Sequence, residues 1–283
     1  MAPPIKHKSA PVKIQRDLVP ASFAIIAPAT IVNTVTNNNQ DTPVVVPIGS
    51  GKSLVFHHNT QSTLDFISVR PYGPSYAAIG DESTLSNTTY RAFTPSAAHL
   101  SSNKTIVVFG TSGATYSYGI CAIILDSDLS IAKTQFRLDT GPTATYYPQI
   151  KAHNDVAVVV YPDASSNANF VIVNSAGTIT TTQTIVSGLT AAINQQSVSV
   201  DFLADGSFAI AATDGTKVSI QLFDSSGNSS GTVIDLINDS TTLKTLPSVV
   251  TIGNKVFVSC QVKNKADGTY IAQVYGVDAT TRN

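Results

Sequence analysis

Side chains able to do acid–base chemistry are sparse in this sequence. Among 18 acidic residues there is a single glutamate, Glu82, in the polar stretch Gly80-Asp81-Glu82-Ser83. Most aspartates, including Asp126, Asp128, Asp205, Asp224 and Asp239, stand in turn-like runs where an Asx side chain bonds its own backbone. Asp65 and Asp201 are the two in or beside strand-like segments. Cleaving a glycosidic bond needs two or three convergent carboxylates, so this supply leads us to expect no enzyme and no catalytic residue. Walker, Rossmann and Gly-x-Ser-x-Gly patterns are absent.

Histidine offers a metal reading through His57, His58, His99 and His153. Adjacent His57 and His58 point to opposite faces of a strand and cannot share an ion. No Cys or Glu cluster completes a site, and Asp126-Ser127-Asp128 lacks EF-hand spacing. We therefore expect neither metal nor cofactor. Tyrosine is more suggestive: Tyr72, Tyr76, Tyr116, Tyr118, Tyr146 and Tyr147 fall in loops or beside repeat anchors, where an amphipathic ring can lie on a sugar or protein. They are the expected ligand or partner surface, although packing at strand edges is the plainer role for such rings.

These residues hang on a repeat. Thr42-Pro43, Thr94-Pro95, Tyr147-Pro148, Gln195-Gln196 and Leu246-Pro247 align at intervals of 52, 53, 48 and 51 residues. After each anchor come a short strand, a turn and a second, more apolar strand, Ser53 to Phe56, Thr105 to Phe109, Val156 to Tyr161, Ser207 to Ala211 and Lys255 to Ser259. Third strands follow at Leu64 to Val69, Gly119 to Leu125, Asn169 to Val173, Lys217 to Phe223 and Tyr270 to Val277, and several units add a polar fourth. Four antiparallel strands with the outermost most polar make a propeller blade. The expected fold is all-β, a five-bladed β-propeller closed by an N-terminal strand that completes the last blade. The divisions are an arm at 1–28, a closing strand and linker at 29–42, and blades at 43–94, 95–147, 148–195, 196–246 and 247–283.

Pro247-Ser248-Val249, Asp205-Gly206-Ser207-Phe208 and Leu222-Phe223-Asp224-Ser225-Ser226-Gly227-Asn228 resemble the loosely defined propeller repeats of bacterial and phage surface proteins. The resemblance covers about residues 29 to 283 and implies the fold, with no particular activity.

Charged residues are 12% of the chain and the formal net charge is −1. Residues 1–20 hold Lys6, Lys8, Lys13 and Arg16 against Asp17, a local +3, and the remainder is −4. This basic, Pro-rich arm suits neither helix nor core, and we expect it to anchor the chain to a partner protein, not to nucleic acid. Leu18 to Val32 imitates a signal peptide, but Asp17, Pro20 and Pro28 interrupt it, so an uncleaved arm is expected. No stretch is long and apolar enough to span a bilayer. Cys121 and Cys260 stand in apolar runs and read as buried free thiols.

The function expected from these features is a non-enzymatic binding or structural propeller. We place it on a bacteriophage virion, with other virion proteins held through residues 1–20 and a host glycan or receptor met by the ring. The alternatives are a secreted, extracellular lectin or adhesin module and a glycoside hydrolase on a five-bladed propeller.

Overall fold

A computed structural model describes residues 34, 39–61, 64–86, 91–112, 119–139, 147–192 and 196–280. They form five antiparallel sheets in chain order. The first contains β1 (Gln40–Pro47), β2 (Ser53–Gln61), β3 (Leu64–Tyr72) and β4 (Ser83–Thr84). The second contains β5 (Arg91–His99), β6 (Thr105–Ser112), β7 (Gly119–Leu125) and β8 (Ile131–Arg137). The third contains β9 (Gln149–His153), β10 (Val156–Pro162), β11 (Asn167–Asn174) and β12 (Ile179–Thr190). The fourth contains β13 (Val198–Phe202), β14 (Phe208–Thr213), β15 (Lys217–Phe223) and β16 (Ile234–Asn238). The fifth, three-stranded among the described residues, contains β17 (Thr242–Ile252), β18 (Lys255–Asn264) and β19 (Tyr270–Asp278).

Every sheet is a meander: each strand pairs antiparallel with the next in sequence, and tight turns join many of these pairs. The turns share one chemistry. Asn103, Asn154, Gly177, Gly206 and Gly227 occupy the left-handed position that closes them. In several, an aspartate two residues before a Ser or Thr accepts its N–H, as Asp128 does from Ser130 (2.9 Å) and Asp205 from Ser207 (3.0 Å).

In the first four sheets the second and third strands are buried on both faces, which explains their continuous Val, Ile and Phe runs, whereas in the fifth β18 alternates and β19 is mostly exposed or half-buried. All seven residues of β7 are buried. Four apolar cores result, each between consecutive sheets: Phe56 and Ile67 meet Phe109 and Ile123, Ile106 and Ile120 meet Val159 and Val171, Phe170 meets Phe208, and Ile220 meets Val256 and Val258. First strands are also stapled to one another at the repeat spacing. Ser96 Oγ accepts the Ile150 N–H (3.3 Å), Ser199 Oγ the Val249 N–H (3.1 Å), and Asp201 Oδ2 the Thr251 N–H (2.8 Å).

Two details depart from the sequence reading. Repeat boundaries drawn at the anchors cut through β1, β5 and β17, which begin before them. At each of these anchors the ladder slips, between Asp41 and Val44, Phe93 and Ser96, and Thr245 and Ser248. Thr42, Thr94 and Leu246 there take φ of 47°, 46° and 53°, a left-handed conformation costly for a side chain with a Cβ, and more so before proline. These are β-bulges, features that re-aim side chains beside functional sites. The closing strand assigned to 29–36 lies outside the described residues except for Thr34, whose N–H and hydroxyl reach Glu82 of the first sheet at 2.6 and 2.8 Å.

Candidate functional site

The three bulges meet at one cavity of about 550 Å³, within the range that holds small ligands. It is lined from every sheet: Thr42, Pro43 and Val44 of the first, Thr94, Pro95 and Ser96 of the second, Tyr147 and Gln149 of the third, Gln196 of the fourth and Leu246 of the fifth. None of these side chains is charged at neutral pH.

Charge gathers beside it. Asp41 directly precedes Thr42, and its Oδ1 accepts from the Thr42 hydroxyl (3.2 Å) and lies 2.7 Å from His58 Nδ1. The other imidazole nitrogen, Nε2, stands 3.2 Å from Asp65 Oδ1, an ion-pair contact without hydrogen-bond alignment. Asp65 is buried and held by Arg91 Nε through its second oxygen. Phe93 walls the cluster, with its ring 5.6 Å from the imidazole and the Arg91 guanidinium 5.2 Å above it.

Strand geometry makes this constellation. Asp41 and His58 are paired across β1 and β2, and Asp65 faces Thr60 across the β2–β3 hairpin, two residues from His58. Arg91 opens the next sheet. Chemically, the His58 ring lies between two carboxylates, with Asp65 buried on one side and Asp41, half exposed, on the side open to a ligand.

His57 points the opposite way, as alternation requires, and its Nε2 lies 3.1 Å from Glu82. Burial raises the Glu82 carboxyl, but hydrogen bonds from Thr34 and the neighbouring His57 outweigh it and hold the group below its ordinary value. A carboxylate kept ionised in this way is a poor proton donor. Asp201 is spent as the staple on Thr251. His99 bonds Thr105 within its own hairpin (3.0 Å), and His153 packs against Phe202 (5.5 Å). No group of three or more His, Cys, Asp or Glu suited to a metal ion occurs among the described residues. A second cavity of about 730 Å³, lined by Val186, Gln221, Phe223 and Val233 among others, contains no ionisable side chain.

Of the tyrosines, Tyr147 lines the central cavity and Tyr76 is exposed. Tyr72 is buried, so that residue is corrected from contact surface to packing: it ends β3, whose neighbours cover its ring. Tyr116, Tyr118 and Tyr146 lie outside the described residues, as do Lys6, Lys8, Lys13 and Arg16 of the arm. Sequence reasoning missed Asp41 and Arg91 and treated His58 only as a metal ligand. The legible signal was the pairing of Asp41 with His58 implied by the first hairpin.

No protein-family model matches the sequence, and neither does any curated protein. Solved structures do resemble the fold. The NanB sialidase from Streptococcus pneumoniae aligns with a TM-score of 0.52 at 13% identity, over 77% of this chain and 36% of that one. A subtype N10 neuraminidase-like protein of A/little yellow-shouldered bat/Guatemala aligns with a TM-score of 0.52 at 11% identity, over 83% and 79%. An exo-β-1,3-galactanase from Phanerochaete chrysosporium gives 0.49 at 13% identity, over 88% of this chain and 62% of the galactanase. The chain thus spans less than two thirds of the galactanase and about a third of the sialidase. Likeness at this identity shows the fold, and the fold is a β-propeller. It bears out the propeller part of the sequence resemblance and carries nothing toward a bacteriophage source. The expectation of a non-enzymatic virion propeller is corrected here, because the propellers it resembles include one named as a sialidase.

Proposed function

We propose that this chain is a glycoside hydrolase on a five-bladed ring, acting where the axial cavity meets the Asp41–His58–Asp65–Arg91 cluster. The observation that carries the reading is the hydrogen-bonded continuity from cavity to cluster: Thr42 lines the cavity, and its hydroxyl bonds the Asp41 carboxylate that His58 also holds. In this reading Asp41 takes the base or nucleophile role beside the sugar. His58, oriented by Asp65, moves the proton. Hydroxyls and amides of Thr94, Ser96, Gln149 and Gln196 meet the substrate hydroxyls.

The experiment is a hydrolysis screen of full-length protein against aryl glycosides and plant and animal oligosaccharides. Turnover is expected, with Asp41→Asn and His58→Gln each losing at least about 10²-fold in kcat/KM, the usual share of a general acid or base. Absence of turnover, or an Asp41→Asn variant as active as the native protein, would overturn the proposal.

Ring closure belongs to the same proposal. It is supported by a cavity lined by residues in or beside all five sheets. An open ring leaves apolar faces wet at about 25 cal/mol per Å². Deleting residues 1–36 should therefore abolish the cooperative melt, and a truncated chain melting at the full-length temperature would refute closure.

A further inference from the structure

We infer that the cavity selects uncharged sugar residues and rejects those carrying a carboxylate, a selectivity that rests on the glycan-directed reading above. Thr42, Thr94, Ser96, Gln149, Gln196 and Tyr147 offer hydroxyls and amides, matched to sugar hydroxyls, while prolines, Val44 and Leu246 supply apolar walls. A carboxylate brought into this space loses water and finds no cation there to replace it.

The rim adds repulsion. The Arg91 guanidinium is committed to Asp65 through its Nε. Asp41, half exposed beside the cavity with His58 Nδ1 2.7 Å from its Oδ1, is the carboxylate an entering sugar meets. The other cations of the described first strands are similarly engaged. Lys151 lies 3.9 Å from Asp201, and fully buried Lys244 donates to the Asp239 and Thr242 carbonyls. An acidic sugar thus meets the Asp41 carboxylate beside a lining that offers no cation, and like charges in a partly desolvated site repel.

Calorimetric titration of the full-length protein with galactose oligomers and galacturonate oligomers of equal length tests this. Galactose oligomers are expected to bind at least tenfold more tightly. Asp41→Asn should raise galacturonate affinity several-fold relative to galactose affinity, and Gln149→Lys, which puts a cation into the cavity, should reverse the preference. Equal or tighter galacturonate binding, an unchanged ratio in both variants, or no binding of either oligomer overturns the inference. Selective binding without hydrolysis would sink the hydrolase reading and leave the selectivity standing, whereas hydrolysis of galacturonates would do the opposite.

Discussion

Asp41 and Asp65 carry the same functional group in opposite surroundings, and their substitutions should separate accordingly. Asp65 is buried between His58 and Arg91, so Asp65→Asn leaves the guanidinium without its counter-charge, while His58 keeps Asp41. Breaking a fully buried pair costs about 3–5 kcal/mol; with Arg91 half exposed we expect about 2 kcal/mol, read from urea unfolding. Asp41→Asn at the exposed rim should stay within about 0.5 kcal/mol of the native stability while losing activity. Tyr161 gives a contrasting case. Its hydroxyl is buried without a hydrogen-bond partner, and burial, followed by nearby Asp139 and Asp163, pushes its ionisation upward. A buried polar group in that state costs about 1–3 kcal/mol, so Tyr161→Phe should match or exceed the native urea midpoint. A drop of more than about 1 kcal/mol would show that the hydroxyl is satisfied.

Hairpins are the elements on which the repeat rests, and their turns tell how far the sequence could be read. The Asn and Gly residues at Asn103, Asn154 and Gly206 announced their turns, and the apolar runs after them became β6, β10 and β14 close to where alternation and composition put them. Strand existence was legible because burial on both faces leaves no room for polar residues. The site was less so. Bringing Asp41 to His58 and Arg91 to Asp65 depends on hairpin register and on the packing of the second sheet against the first, and neither is a local property. The bulges were hidden for the same reason: proline marked their place, but a left-handed threonine before it is imposed by the surrounding ladder. Ser166 shows the local side of this conflict. It stands at φ 62° in a turn whose same position is glycine at Gly177, Gly206 and Gly227. Relief of about 1–2 kcal/mol of left-handed cost, less about 0.5–1 kcal/mol of added chain entropy, predicts that Ser166→Gly stabilises by about 0.5 kcal/mol in chemical denaturation.

Over the whole molecule, turn carboxylates set the response to acid. Hydrogen bonds from Ser130 to Asp128, Ser207 to Asp205, Asn228 to Asp224 and Thr269 to Asp267 hold these groups below their ordinary values, and those from Thr241 and Thr242 bring Asp239 to about 2. A carboxyl with a folded pKa below its unfolded value of about 3.9 binds fewer protons when folded. Its contribution is complete above the unfolded value and is lost as pH falls through the folded one. The urea midpoint should therefore hold steady from pH 7 to 5 and decline between about pH 4 and 2; a midpoint unchanged at pH 2 would contradict this. The bulged anchors carry a different consequence. Because Thr42, Thr94 and Leu246 are locked by ladders on either side, the floor they build belongs to the scaffold, and the connections above it do not shape it. Loops at the lip could thus be exchanged for those of another protein, changing what enters the socket while the groups at its base keep their positions.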